Sequence, residues 1–83
     1  MKVLKFYADW CGPCKALSQV IKNAGDKVTV TIEDVNIDEN LFMAQDFKVR
    51  GVPTMVIVDE SENEVRRKVG MMNEEELLQF LKG

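Results

Sequence analysis

Apolar and polar positions alternate between two periods along this chain, and the switches mark its elements. Val3-Leu4-Lys5-Phe6-Tyr7-Ala8 is almost continuously apolar, broken only by Lys5. That pattern predicts a strand covered on both faces in the middle of a parallel sheet. Asp9 and Trp10 lead off the strand, and Cys11-Gly12-Pro13-Cys14 opens a helix. Pro13 suits a first helical turn, where its missing N–H leaves no hydrogen bond unmade. Ala16, Leu17, Val20, Ile21 and Ala24 then recur at helical spacing, with Gly25 as a stop. Val28, Val30 and Ile32 alternate with Thr29, Thr31 and Glu33, which predicts a second strand. Strand, helix and strand within about thirty residues make a βαβ unit, whose right-handed crossover sets the two strands parallel.

The second half is read the same way. Asn36-Ile37-Asp38-Glu39-Asn40 is a polar turn, with Asn40 as the N-cap of a short helix from Leu41 to Phe47. Leu41, Ala44 and Phe47 are its apolar positions. Arg50-Gly51-Val52-Pro53-Thr54 breaks the chain, and Met55-Val56-Ile57-Val58 is a wholly apolar third strand. Asp59 to Asn63 forms a hairpin loop without a glycine, and Glu64-Val65-Arg66-Arg67-Lys68-Val69 forms a cationic fourth strand that suits a sheet edge. Gly70 ends it. Asn73 with Glu76 makes a capping box, and Leu77, Leu78, Phe80 and Leu81 give the last helix its buried face. The order is β-α-β-α-β-β-α in one α/β domain, with no internal repeat, linker or low-complexity tract.

Composition narrows the class. The 83 residues are 46% apolar, enough for one modest core. No apolar run is long enough to span a bilayer, and the N-terminus enters its first strand without a signal-type segment. A cytoplasmic protein with no membrane partner, or one that has lost a leader, is the expectation. A net charge of −3 argues against nucleic-acid binding, which needs a basic face. Histidine is absent, which removes the commonest general base and the commonest nitrogen ligand for metals.

The two cysteines, Cys11 and Cys14, are the only ones in the chain. A structural bridge, a metal site and a redox dithiol are the alternatives. Closing so short a loop removes little unfolded-chain entropy, which weakens the first. Structural zinc wants four ligands, so only a metal or cluster shared between chains would be served by two thiols. A CxxC beside a βαβ unit reads as a redox pair.

Phe6-Tyr7-Ala8-Asp9-Trp10-Cys11-Gly12-Pro13-Cys14-Lys15 resembles the active-site segment of the thioredoxin family. Val35-Asn36-Ile37-Asp38, Val49-Arg50-Gly51-Val52-Pro53-Thr54 and Val69-Gly70 match that family in order and spacing. The resemblance covers nearly the whole chain but lacks the family's usual N-terminal strand and helix. It implies a minimal thioredoxin fold, a four-stranded mixed sheet in order 2-1-3-4 with helices on both faces. It also implies a protein-disulfide reductase that holds no bound cofactor and is recharged from NADPH by a flavin-dependent thioredoxin reductase. Ribonucleotide reductase and enzymes that reduce peroxides or methionine sulfoxide are the usual clients, and monomer is the default state.

The resemblance assigns roles as well. Cys11 at the helix start would be the attacking thiolate, and Cys14, one turn further in and less exposed, would resolve the mixed disulfide. Pro53 would follow a cis peptide and face the disulfide, leaving the Val52 backbone to pair with an extended substrate. Trp10, Gly12, Pro13, Val52, Pro53 and Gly70 would form an apolar docking surface. Met71 and Met72 fit either that surface or the core at a helix end.

Two positions depart from the family pattern. Lys5 stands where the family usually buries an acid, and Asp34 stands where it usually places a partner lysine. Period two puts Asp34 on the face of Val28, Val30 and Ile32, pointing inward, so a buried Lys5–Asp34 pair is expected. The alternative is a Lys5 that reaches water along its stem. If the pair forms, Asp34 would assist Cys14, or Lys5 would stabilise its thiolate directly. Gln19 replaces a proline that kinks the helix in many relatives. A glutathione-dependent, glutaredoxin-like reductase is the alternative function. The short length favours it, but Trp-Cys-Gly-Pro-Cys does not, and Met71-Met72-Asn73-Glu74 lacks the Gly-Gly and Asp-Asp pattern of many glutathione sites. A non-catalytic, partner-clamping subunit is the third reading.

Overall fold

Each apolar run becomes an element in a computed structural model that describes Met1–Gly83. The elements are β1 (Lys2–Tyr7), α1 (Gly12–Ala24), a 3-10 turn (Gly25–Lys27), β2 (Thr31–Asn36), α2 (Leu41–Asp46), β3 (Thr54–Val58), β4 (Glu64–Val69) and α3 (Glu74–Lys82). The sheet runs β2-β1-β3-β4. β1 pairs parallel to β2 and antiparallel to β3, and β3 pairs antiparallel to β4. This is the minimal thioredoxin fold that the resemblance implied.

Alternation along the two central strands splits the core. Val3, Met55 and Ile57 face α1 and α3, where they bury Leu17, Ala24, Met72 and Leu77. Leu4, Phe6, Val56 and Val58 face the other side, where they bury Val35 and Ala44 of α2. Phe6 meets Phe47 there, ring centroids 5.8 Å apart in a tilted pair. Met72 therefore belongs to the core, whereas Met71 is exposed.

Three boundaries differ from the sequence reading. β2 begins at Thr31 rather than Val28. Its partner β1 begins at Lys2, which pairs with Thr31, so the ladder ends before it reaches Val28 and Val30. They pack onto the α1/α3 core from outside the ladder. Asn40 precedes α2 but makes no side-chain cap. Its Nδ2 donates instead to the Asn36 carbonyl at 3.0 Å, closing the turn. Leu41 is exposed and Phe47 lies just past the end of α2, so of the three apolar positions only Ala44 is fully buried within the helix.

The capping box of α3 is complete. Asn73 Oδ1 accepts from the Glu76 N–H at 2.8 Å, and Glu76 Oε1 accepts from the Asn73 N–H at 3.0 Å. The glycine-free hairpin is organised by Asp59, whose Oδ1 accepts from the Ser61 and Asn63 N–H groups at 2.9 Å. Glu62 takes the left-handed conformation there, with φ at 63°.

The cations of β4 do more than guard an edge. Arg66 Nε donates to the Phe80 carbonyl at 3.0 Å, and Arg67 Nη2 donates to the Phe47 carbonyl at 2.6 Å. One arginine thus satisfies the C-terminal end of α3 and the other the end of α2, from opposite faces of the sheet. Arg67 also pairs with Glu64 through Nε and Nη2, at 2.8 and 2.6 Å. Its hydrogen bonds hold the Glu64 carboxyl below its ordinary value of 4.5, and Glu64 in turn raises the Arg67 guanidinium. A carboxylate lowered in the folded state contributes stability that is present above the unfolded value and lost as pH falls through the folded one. Glu64→Gln is therefore expected to flatten the stability curve on its acid limb, below about pH 4.5, and to leave its neutral shape unchanged. Denaturant midpoints measured across pH check this.

Candidate active site

β1 delivers the chain to the site. After Tyr7 the buried Ala8 accepts a backbone hydrogen bond from the Cys11 N–H at 3.2 Å, turning the chain before α1 begins. Cys11 is the N-cap of α1, with φ −93° and ψ 107°. Its Sγ accepts from the Cys14 N–H at 3.1 Å, so a sulfur performs the task of a capping oxygen. No acidic residue lies in the first turn of α1, and Pro13 occupies a position where no N–H is needed. The helix continues unbroken through Gln19, whose Nε2 donates to Asn23 Oδ1 at 2.9 Å.

Cys11 and Cys14 are joined as a disulfide, their Cα atoms 5.2 Å apart. They are 4% and 3% exposed, so burial does not separate them as the sequence reading expected. The disulfide closes both sulfurs into a small cluster with Ala8, against Tyr7, Ile37 and Val52. What distinguishes them is position. Cys11 Sγ faces the loop before β3, 3.6 Å from the Val52 carbonyl oxygen, and Cys14 lies within the first turn of α1.

The facing loop is braced from two sides. The Val52–Pro53 peptide is cis. The Pro53 carbonyl accepts from the Gly70 N–H at 2.8 Å, and Thr54 Oγ1 donates to the Gly51 carbonyl at 2.7 Å. Gly70 has φ 95°, in the region where side chains are strained, and this conformation turns β4 away at the point of contact. The structure thus gathers Cys11, Cys14, Val52, Pro53 and Gly70, with Gly12 and Pro13 exposed beside them.

Trp10 is exposed, but its indole is not free. Nε1 donates to Asp38 Oδ2 at 3.0 Å, the Asp38 N–H donates to Asn36 Oδ1 at 2.9 Å, and the Ile37 N–H donates to the Tyr7 carbonyl at 2.9 Å. Asn36 and Asp38 thereby tie the loop after β2 to the active-site turn. The sequence reading saw them as a polar turn within a segment that matches the family, and gave them no role at the site. The signal available was the Asn-x-Asp spacing, which favours side-chain to backbone bonds.

Lys5 is buried on the α1 side of the sheet, its side chain 7% exposed, which excludes the reading in which it reaches water. It pairs with Asp34 at 3.2 Å, as expected. Asp34 itself is not inward-pointing, since its side chain is 59% exposed. β2 is the outer strand, so the face that is covered at Lys5 is open at Asp34. A second partner was not anticipated: Lys5 Nζ donates to Ser18 Oγ at 2.7 Å. Ser18, one turn beyond Cys14, lines a pocket of about 250 Å³ with Tyr7, Ala8, Asp9, Cys14 and Lys15.

No group of three or more His, Cys, Asp and Glu side chains is arranged to hold a metal. A redox-active disulfide capping a helix that leaves the central strand of a mixed sheet defines a thiol–disulfide oxidoreductase. The family model described as thioredoxin matches residues 1–83, and the chain belongs to the thioredoxin family. Among curated relatives, a thioredoxin of Chlamydia pneumoniae is 38% identical over 80 residues, covering 95% of this chain and 78% of its own. One of Mycolicibacterium smegmatis is 37% identical over 83 residues, covering 95% and 73%. Among solved structures, a mutant thioredoxin from Halobacterium salinarum superposes with a TM-score of 0.85 at 35% identity, covering 96% of this chain and 70% of its own. A thioredoxin from Nicotiana alata gives 0.82 at 37% identity, with the same coverage.

Proposed function

We propose that the chain works as one domain over residues 1–83 that reduces protein disulfides, with Cys11 attacking and Cys14 resolving. The observation that carries this reading is the capping of α1 by Cys11 Sγ. In the reduced protein the same N–H and the positive end of the helix favour a thiolate on Cys11. That thiolate attacks one sulfur of the substrate disulfide, forming a Cys11 mixed disulfide and releasing the other sulfur as a thiolate. The Cys14 thiolate then attacks Cys11 Sγ, the bond from Cys11 to the substrate breaks, and the second substrate sulfur leaves as a thiolate. Two electrons have passed to the substrate, and the protein holds the Cys11–Cys14 disulfide.

The substrate strand would lie along Val52, whose carbonyl borders Cys11, and rest on Trp10, Gly12, Pro13, Pro53 and Gly70. Reducing equivalents would come from NADPH through a flavoprotein thioredoxin reductase, which leaves this chain without a bound cofactor. Clients would be cytoplasmic disulfide-forming enzymes such as ribonucleotide reductase, met by a monomer. No helix is long and apolar enough to cross a membrane.

Cys14→Ser is expected to accumulate mixed disulfides through Cys11, seen as a mass increase on a non-reducing gel. Ordinary turnover by that variant would overturn the assignment of Cys14. Insulin reduction, driven in one assay by thioredoxin reductase with NADPH and in another by glutathione, tests the electron source. Turnover only with glutathione would favour the glutaredoxin-like alternative.

A further inference from the structure

The buried lysine takes no part in the exchange as written above, yet it sits one hydrogen bond from the helix face that carries Cys14. Lys5 is hydrogen-bonded to Ser18 at 2.7 Å and ion-paired with Asp34 at 3.2 Å. Ser18 follows Cys14 by one helical turn, which stacks their side chains on the same face of α1. An ammonium group donates and cannot accept, so Ser18 Oγ is the acceptor and the serine proton is left to turn elsewhere. The pocket that Ser18 and Cys14 line together lies on that side. The other charged groups on the pocket wall, Asp9 and Lys15, are of opposite sign. Lys5 is the charged group hydrogen-bonded to Ser18 on that helix face, with Asp34 as its counter-ion.

We propose that Lys5 is a positioning residue for resolution, stabilising the Cys14 thiolate through the Ser18 hydroxyl, with Asp34 setting how much of its charge is felt. The inference rests on Cys14 as the resolving thiol. The chemistry differs from that of a buried carboxylate, which would remove a proton from Cys14. An ammonium cannot act as that base. It lowers the energy of the thiolate after the proton has gone to solvent, so the attack on Cys11 Sγ needs no proton transfer of its own. The leaving substrate thiolate is protonated by water. Because the stabilised thiolate exists only in the dithiol form, the same cation biases the protein toward its reduced state.

The electrostatic reading makes three variants move in two directions. In a Cys11→Ser background, where Cys14 is the sole thiol, its titration is followed by thiolate ultraviolet absorbance. Lys5→Met is expected to raise the midpoint by about one pH unit or more, and Ser18→Ala to raise it less. Asp34→Asn, which removes the counter-charge and keeps the lysine, is expected to lower it. With both cysteines present, and at a pH above both midpoints, Lys5→Met would shift the equilibrium with glutathione toward the disulfide by roughly tenfold per unit of midpoint shift. A midpoint unmoved by Lys5→Met in a folded variant overturns the proposal. If Lys5→Met fails to fold, the exposed Asp34 decides: a midpoint that is unchanged or raised in Asp34→Asn overturns it equally. Full turnover by Cys14→Ser would instead sink the resolving role and leave the titration result standing, so the two failures are distinguishable.

Discussion

Cys11→Ser is expected to abolish disulfide reduction, by more than roughly 10³-fold in an insulin assay with thioredoxin reductase and NADPH. The loss should lie in turnover, since the substrate platform of Val52, Pro53 and Gly70 is held by its own hydrogen bonds and not by the cysteine. A serine hydroxyl at this position still accepts from the Cys14 N–H, so the cap on α1 survives and the fold with it. That separation is what makes the variant informative. Its circular dichroism and thermal midpoint under reducing conditions should stay near those of the reduced parent, while activity disappears. Retention of even a tenth of the activity would mean that Cys14 can attack substrate directly. It would then have to be reached from outside despite its 3% exposure.

The second large effect is on stability. Phe6 has no exposed surface, packs among Leu4, Val35, Val56 and Val58, and meets the Phe47 ring. Phe6→Ala should cost about 3–5 kcal/mol, because the lost transfer energy is joined by a cavity that two strands cannot collapse to fill. A domain of this size holds about 5–10 kcal/mol in all. The variant should therefore melt roughly 15–30 °C lower and be partly unfolded near body temperature. Denaturant unfolding of the oxidised protein checks it. A loss of less than about 1 kcal/mol would mean that the α2 side of the sheet repacks freely.

Much of this architecture was readable before any coordinates. Continuous apolarity in Val3–Ala8 and Met55–Val58 identified the two central strands, because only strands covered on both faces can afford it. Asn73 and Glu76 announced a helix start that the structure closes with both reciprocal bonds. What stayed hidden depended on where an element stops or what covers it. Period two placed Asp34 on the face of Val28, Val30 and Ile32, but periodicity carries no information about whether a helix lies over that part of the face. Asp34 on an outer strand is open, and Lys5 on an inner one is not. The start of β2 was misjudged for a related reason, since Val28 and Val30 alternate as strand residues do but have no partner strand opposite them. Ser18 escaped notice because a lone serine within a helix has no distinguishing pattern, and its meaning comes from the lysine brought beneath it.

The route by which β1 reaches the disulfide has a consequence for local opening. β1 is laddered on both sides, to β2 and to β3, and the turn holding Cys11 is bonded directly to Ala8 at its end. Amides paired on both flanks exchange with solvent only when most of the molecule opens, whereas outer strands and helix ends fray at far lower cost. The Phe6 and Leu4 amides should accordingly be among the slowest to exchange deuterium, and those of β4 among the faster. The cysteines thus spring from the part of the molecule that lets go last. Partial unfolding at β4 or at the chain ends leaves their anchorage in place, and the pair can cycle between dithiol and disulfide on a support that does not loosen as the periphery breathes.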